Sequence, residues 1–539
     1  MRLGWIAAAV LVGACATTPG ANTNAPLSPA ALMSHVEVLA SDEFEGRSPG
    51  TRGEELTIQY ITRQFQAVGL QPGNNGSWVQ EVPLATAEVT NNPTLRIGEN
   101  NYAYGTDFVA WTKRQDRPQI SLENAELVFV GYGVTAPENN WNDWGDVDVR
   151  GKIVVMLIND PDFDTGDDRG FGGRRMTYYG RWTYKYEEAA RRGAAGALII
   201  HEDQAAAYPW AVVNSSWTGP QHDLARADHG ASRVMVEGWI TNQVARDLFE
   251  RAGLNFDEQR QRAQNRGFTP VSLNARASIT LETTIERHMS RNVIGVLPGR
   301  DRPNEAVLYG AHWDHLGRCT PVDGDDICNG ALDNATGVAG LIELARQFRA
   351  DGPTQRSVAF IAFTAEESGL LGSQYYGEHQ VFEPRNTAAM INMDGLSVVG
   401  PARDMTVVGF NQNNLQDRLA EAAQAQGRRI SPEAFPERGS FYRSDHFNLA
   451  RTGVPVLYAG SGNDLVDGGT ERSRQLSEAY IANRYHKPDD EIQPDWDLSG
   501  AEQDLRLLYA VGRGVADSNA WPAWNATSEF RAARTAQGR

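Results

Sequence analysis

The chain has 539 residues, more than one hydrophobic core ordinarily serves, so two domains, or two plus insertions, are expected. Its 68 acidic against 50 basic residues leave a formal net charge of -18, which argues against a nucleic-acid partner and fits a soluble protein facing outward from a cell. Apolar and glycine content is ordinary for a globular protein.

The chain opens as a targeting segment. Arg2 precedes an apolar stretch from Leu3 to Ala14 that is too short to span a bilayer. Val12-Gly13-Ala14-Cys15 resembles a bacterial lipobox, in which the cysteine becomes lipidated and N-terminal. Residues 1–14 are therefore read as a signal peptide and Cys15 as a lipid anchor, the only expected membrane attachment of an exported, cell-envelope protein. An ordinary signal peptide with an incidental cysteine is the alternative. Residues 15–26, rich in Thr, Pro, Ala and Asn, read as a disordered tether.

A helix is expected over 27–39, with Ser28-Pro29 as its start. A second, over 52–65, sets Leu56, Tyr60, Ile61 and Phe65 on one side, and 79–84 reads as a strand. This block is too small for its own core and should pack on something later. In the middle, strands at 126–130, 152–158 and 197–200 enclose a helix at 184–192 ended by Gly193, which gives a βαβ unit. That stretch shows no metal cluster or nucleophile constellation, so it reads as a non-catalytic module.

From Asn292 onward, strands and helices alternate. Residues 292–297 form a strand ended by Pro298-Gly299, and 335–348 a helix with Val338, Leu341, Ile342, Ala345 and Phe348 at helical spacing. A helix at 414–426, a strand at 454–458 and a closing helix at 498–515 follow. The alternation predicts an α/β fold, a mixed, mainly parallel sheet sandwiched by helices.

Three strand-like runs in this region each end on candidate ligands. His312 follows the run 306–311, Glu366 and Glu367 follow 358–363, and Asp394 follows 390–393. In open α/β sheets the functional crevice lies at the carboxyl ends of the strands, where such residues would converge. With Asp333 and His486 they make a set of imidazoles and carboxylates that suits zinc or a related divalent metal. A bridging carboxylate holds two cations about 3.5–4 Å apart, and such a pair polarises a carbonyl and activates water. Adjacent acids such as Glu366 and Glu367 then divide two tasks, one ligating and one taking the proton. Asp314, two residues beyond His312, is placed to hold the second imidazole nitrogen. His315, Asp445 and His446 carry no assignment. Cys319 and Cys328, in the loop between His312 and Asp333, are expected to form a disulfide staple; free thiols or thiolate ligation are the alternatives.

Several stretches together are similar to metallopeptidase family twenty-eight, the di-zinc exopeptidases that include bacterial leucyl aminopeptidase and glutamate carboxypeptidase II. They are 311–315 (Ala-His-Trp-Asp-His), 329–337 around Asp333, 364–373 around Glu366 and Glu367, 391–394 ending on Asp394, and 485–490 around His486. Residues 39–47 resemble the family's N-terminal segment. No ligand position departs from the pattern. The resemblance implies the zinc exopeptidase fold and two Zn2+ per chain. His312, Asp333 and Asp394 would hold one ion, and Asp333, Glu367 and His486 the other, with Asp333 as the bridge. It further implies Glu366 as general base, Asp314 behind His312, and Tyr485 as a hydrogen-bond donor to the oxyanion. The middle segment resembles the β-rich protease-associated domain inserted in many relatives, expected to cap the site and limit substrate size.

The organisation expected is then a peptidase domain over 27–92 and 284–525, the insert over 93–283, and a tail over 526–539. The expected activity is removal of N-terminal residues from peptides. A carboxypeptidase or dipeptidase, a single-metal glutaminyl cyclase and a non-enzymatic binding protein like the transferrin receptor are the alternatives. Residues 436–446 read as a pocket loop or a solvated loop, in which Arg438 and Arg443 could clamp a terminal carboxylate, as a carboxypeptidase needs. Preferred residue and oligomeric state are not legible.

Overall fold

The computed structural model describes residues 26–539. The expected signal peptide, nearly all of the tether and Cys15 lie outside the described residues. Among those described, no helix is long and apolar enough to cross a membrane.

The strand Arg302–His312 lies between Arg356–Phe363 and Thr387–Asn392, parallel to both, and Val456–Gly460 continues the parallel set. Both flanks turn antiparallel: Val271–Leu297 pairs with Arg356–Phe363 on one side, and Asp404–Val408 with Val456–Gly460 on the other. The apolar runs read as buried strands because both faces are covered. Val307, Tyr309 and Ala311 face a core shared with the helices Thr336–Ala350 and Ser499–Ala516. Ala306 and Leu308 face the opposite core with Tyr376, Phe447 and Leu449. This two-residue alternation is the pleat of a sheet held between helix layers.

The N-terminal block joins the first of these cores. Helix Pro29–Leu39 starts on Ser28, whose hydroxyl accepts the Ala31 N–H, and contributes Leu32 and Val36; helix Arg52–Val68 contributes Ile58, Ile61 and Phe65.

Residues between 95 and 281 bury two cores of their own on either face of a second sheet. Its parallel centre is Gln119–Phe129, Ile153–Leu157, Gly196–Ile200 and Val236–Ile240, with helix Trp182–Arg191 completing the expected βαβ unit. The two sheets share one strand. Val271–Leu297 runs for 27 residues, pairing first with Gln119–Phe129, then with Val79–Val89, then with Arg356–Phe363. Sequence reading placed this strand at 292–297 only, and the expected division between 283 and 284 falls inside it. Its earlier part hides in the sequence because Leu273, Ala277, Ile279 and Leu281 alternate with exposed or half-buried polar residues instead of forming an apolar run.

Candidate metal centre

His312 is the last residue of its strand, Glu366 and Glu367 follow the end of the neighbour on one side, and Asp394 follows the neighbour on the other. Parallel pairing therefore delivers all four to one crevice. Asp333 arrives from the turn before helix Thr336–Ala350. Gly330 shapes that turn: its φ is +56°, and a Cβ there would collide with the Asp333 carbonyl and the His315 ring.

The donor atoms form two groups that share Asp333. His312 Nε2 lies 3.2 Å from Asp333 Oδ1 and 3.2 Å from Asp394 Oδ1. On the other side, His486 Nε2 lies 3.5 Å from Asp333 Oδ2 and 3.1 Å from Glu367 Oε2. His315 Nδ1 approaches Glu367 Oε1 to 2.6 Å, so with Asp333 and Glu367 it completes a second metal-sized cluster. His315 is thus brought to the site beside His486, a placement the sequence left open. Glu366 belongs to neither group; its Oε2 lies 4.0 Å from His312 Nε2 and borders the cavity.

The residues fit a divalent metal. Four carboxylates converge here, which repel one another unless cations sit among them. His315 Nε2 is buried without a hydrogen-bond partner, and His486 Nε2 and His315 Nδ1 face only the carboxylates of this group. The imidazoles and carboxylates also act on one another. Burial disfavours charge on His312, yet Glu366, Asp394 and Asp333 outweigh it and hold its pKa well above the ordinary value. Burial, with Asp394 and Glu367, pushes Glu366 well above the usual carboxylate range. Glu367 is held low because His315 and His486 overcome burial and the charge of Asp333.

Surrounding bonds fix the ligands. The expectation for Asp314 needs correction: its backbone carbonyl, 3.0 Å from His312 Nδ1, holds the imidazole, while its carboxylate lies 3.9 Å away. That carboxylate instead accepts the N–H groups of Glu366 at 3.1 Å and Glu367 at 3.3 Å, and so orients the acidic pair. Asn334 ties two ligand loops together, donating to Met393 O and accepting from Gly395 N. Asp490 accepts from Leu332 N and Asp333 N, both at 3.1 Å.

Arg47 is the support that sequence reasoning missed. Fully buried, it donates to the carbonyls of Leu39, Trp313, Asn329 and Gly330, joining the loop after His312 to the loop before Asp333. Burial lowers its pKa to about 10, so it stays charged at neutral pH. The resemblance of residues 39–47 marked the segment but not this role. Between the same two loops, Cys319 and Cys328 are joined as a disulfide.

Tyr485 stacks on the His486 ring at 3.8 Å and borders a cavity of about 620 Å³ that also exposes Glu366, Glu367 and His486. The cavity's remaining wall includes Arg181, Trp182 and Trp217 from the middle segment. Of the pocket-loop arginines, Arg443 borders this cavity, but Arg438 packs on Phe435 at 4.1 Å and faces a separate hollow. His446 lies in neither donor group: it is packed against Phe441 and Tyr458, and burial lowers its pKa to about 3. Asp445 is buried nearby, and burial raises it to about 7.

Residues 292–510, which contain every site residue singled out from the sequence, match the family model for Peptidase family M28. The chain is 39% identical over 102 residues to a "Probable zinc metalloprotease" of Pyrenophora teres f. teres (strain 0-1), covering 19% of this chain and 22% of that protein. It is 34% identical over 91 residues to aminopeptidase YwaD of Bacillus subtilis (strain 168), covering 17% of this chain and 18% of that protein. The chain thus spans less than a quarter of the length of these curated relatives. Among solved structures, the aminopeptidase from Aneurinibacillus sp. strain AM-1 aligns over 92% of this chain and 96% of its own, at 20% identity and a TM-score of 0.49.

Proposed function

We propose that this chain is a zinc-dependent aminopeptidase holding two zinc ions, exported and tethered to a membrane through Cys15. The observation that carries the reading is the division of labour around Asp333. Its two oxygens face different donor groups, while Glu366 stands outside both at the cavity wall. The match of residues 292–510 to the Peptidase family M28 model and the aminopeptidase and metalloprotease names of the relatives support it.

His312, Asp333 and Asp394 would hold one ion, and Asp333, Glu367 and His486 the other, with His315 behind Glu367. Zinc there supplies a Lewis acid for the scissile carbonyl and lowers the pKa of water toward ~7. The chain's own residues do the rest. Glu366 takes the proton from the attacking water and returns it to the leaving amine. The amides that Asp314 fixes keep Glu366 from drifting toward the ligand role of Glu367. Tyr485 presents its phenol at the same cavity, in position to donate to the developing oxyanion. The carboxylate-rich rim accepts a substrate ammonium, which favours the amino end. The middle segment, read as a protease-associated insert, walls the cavity and limits substrate size.

The deciding experiment pairs a tripeptide with its N-acetylated form. The free peptide should lose its first residue and the acetylated one should stay intact. Release of the last residue from the acetylated peptide would replace this reading with the carboxypeptidase one.

A further inference from the structure

The cavity over the metal centre carries positive charge that peptide-bond cleavage does not use. Lys113, Arg181, Arg233, Arg443 and Arg451 border it, Lys113 within the field of Asp223 and Glu237. Two of these are neutralised locally: Arg233 pairs with Asp223 at 2.9 Å, and Arg451 with Glu187 at 2.9 Å. Arg181 and Arg443 differ. Among the described residues neither has a carboxylate within ion-pairing distance, and Arg181 Nε is buried without a hydrogen-bond acceptor.

These two guanidiniums also act on one another. Burial, then the charge of Arg443, lowers the pKa of Arg181 to about 10, and the Tyr208 hydroxyl lies within the field of both. Arg181, partly buried and unpaired, faces the same half-enclosed space as the exposed guanidinium of Arg443, and an anion entering that space would be stabilised by both. Guanidinium forks match the geometry of a carboxylate. Arg181 comes from the middle segment, at the start of helix Trp182–Arg191, and Arg443 from the loop after Ser440–Tyr442 in the peptidase segment. Neither segment alone would hold the pair. A volume of about 620 Å³ is that of a small-ligand site.

We propose that Arg181 and Arg443 form a carboxylate-binding subsite, so that the cavity selects short peptides carrying a negative group beyond the scissile bond. This rests on the peptidase reading above. The carboxylate has two possible sources, the peptide's own C-terminus or an acidic side chain.

The test is calorimetric and uses the zinc-loaded full chain carrying Glu366→Gln, so that ligands survive. Four probes are titrated: Leu-Ala, Leu-Ala-amide, Leu-Asp-amide and Leu-Asn-amide. Leu-Ala should bind about tenfold or more tighter than its amide if the C-terminus is the source, since charged hydrogen bonds are lost in the amide. The same margin of Leu-Asp-amide over Leu-Asn-amide would identify a side chain. Arg181→Gln and Arg443→Gln should each collapse the ratio, and Arg181→Lys should restore part of it. A merely structural lesion weakens both members of a pair and leaves the ratio alone. Equal affinities within both pairs, or no binding of any probe, would overturn the subsite. Turnover by the protein with Glu366 intact separates the two claims. Hydrolysis of all four without preference removes only the subsite; a clear binding ratio with no hydrolysis removes only the peptidase reading.

Discussion

Asp490 accepts the backbone N–H of Asp333 at 3.1 Å, and Asp490 stands four residues after His486. The loop that supplies one imidazole therefore also fixes the carboxylate shared by both donor groups. Asp490→Ala would leave the buried N–H groups of Leu332 and Asp333 without their acceptor. Metal affinity should fall by about 10–100-fold, the usual effect of losing a group that orients a ligand. Competition against a chromogenic chelator measures it, and unchanged affinity would show that Asp333 is held by other means.

The two adjacent glutamates should separate on substitution. Glu366→Gln should keep its metal yet lose about 10²–10⁴-fold in kcat, the scale of a general base. Glu367→Gln should bind metal more weakly, with activity partly recovered by added zinc. Elemental analysis beside steady-state kinetics distinguishes them, and a fully active Glu366→Gln enzyme would reverse the roles.

Metal content should reach two ions per gently purified chain. Chelation should abolish activity, and zinc should restore it. Saturation at one ion would remove the bridging role of Asp333.

The disulfide closes a loop across a sequence separation of 9. By loop-closure entropy its stabilisation is about 2.5–3 kcal/mol. Cys319→Ser with Cys328→Ser should lower the denaturant midpoint of the unit containing the metal centre. Non-reduced digests of the native chain should yield the linked peptides; two freely alkylated thiols would contradict the pairing.

Cys15→Ala should release the protein from the membrane fraction or block its processing. A mature N-terminus well beyond residue 15 in the native protein would rule out the anchor.

What the sequence made legible was whatever depends on short-range order. His312, Glu366, Glu367 and Asp394 stood out because each follows an apolar run, and parallel pairing turns that position into convergence. The partners of backbone groups were illegible. Nothing local reveals that the Asp314 carboxylate holds amides 52 and 53 residues away, or that Arg47 gathers carbonyls up to 283 residues distant. Arg181 and Arg443 share a cavity only because two segments fold against each other. Arg438, five residues before Arg443, faces a different hollow, so composition alone chose both and geometry kept one.

The strand common to both sheets imposes a rule of parity on any exchange of the middle segment. Thr283 opposes Val89 and Val293 opposes Val79 in one uninterrupted ladder, and the same strand carries Leu281 into the other sheet opposite Ile120. Adding or deleting one residue between Leu281 and Ser290 would reverse which side chains point inward on one side of the change. Insertions or deletions of two would preserve the facing. Chimeras joined at this seam should therefore fold or fail according to whether the residue count is even or odd, whatever the similarity of the segments being swapped.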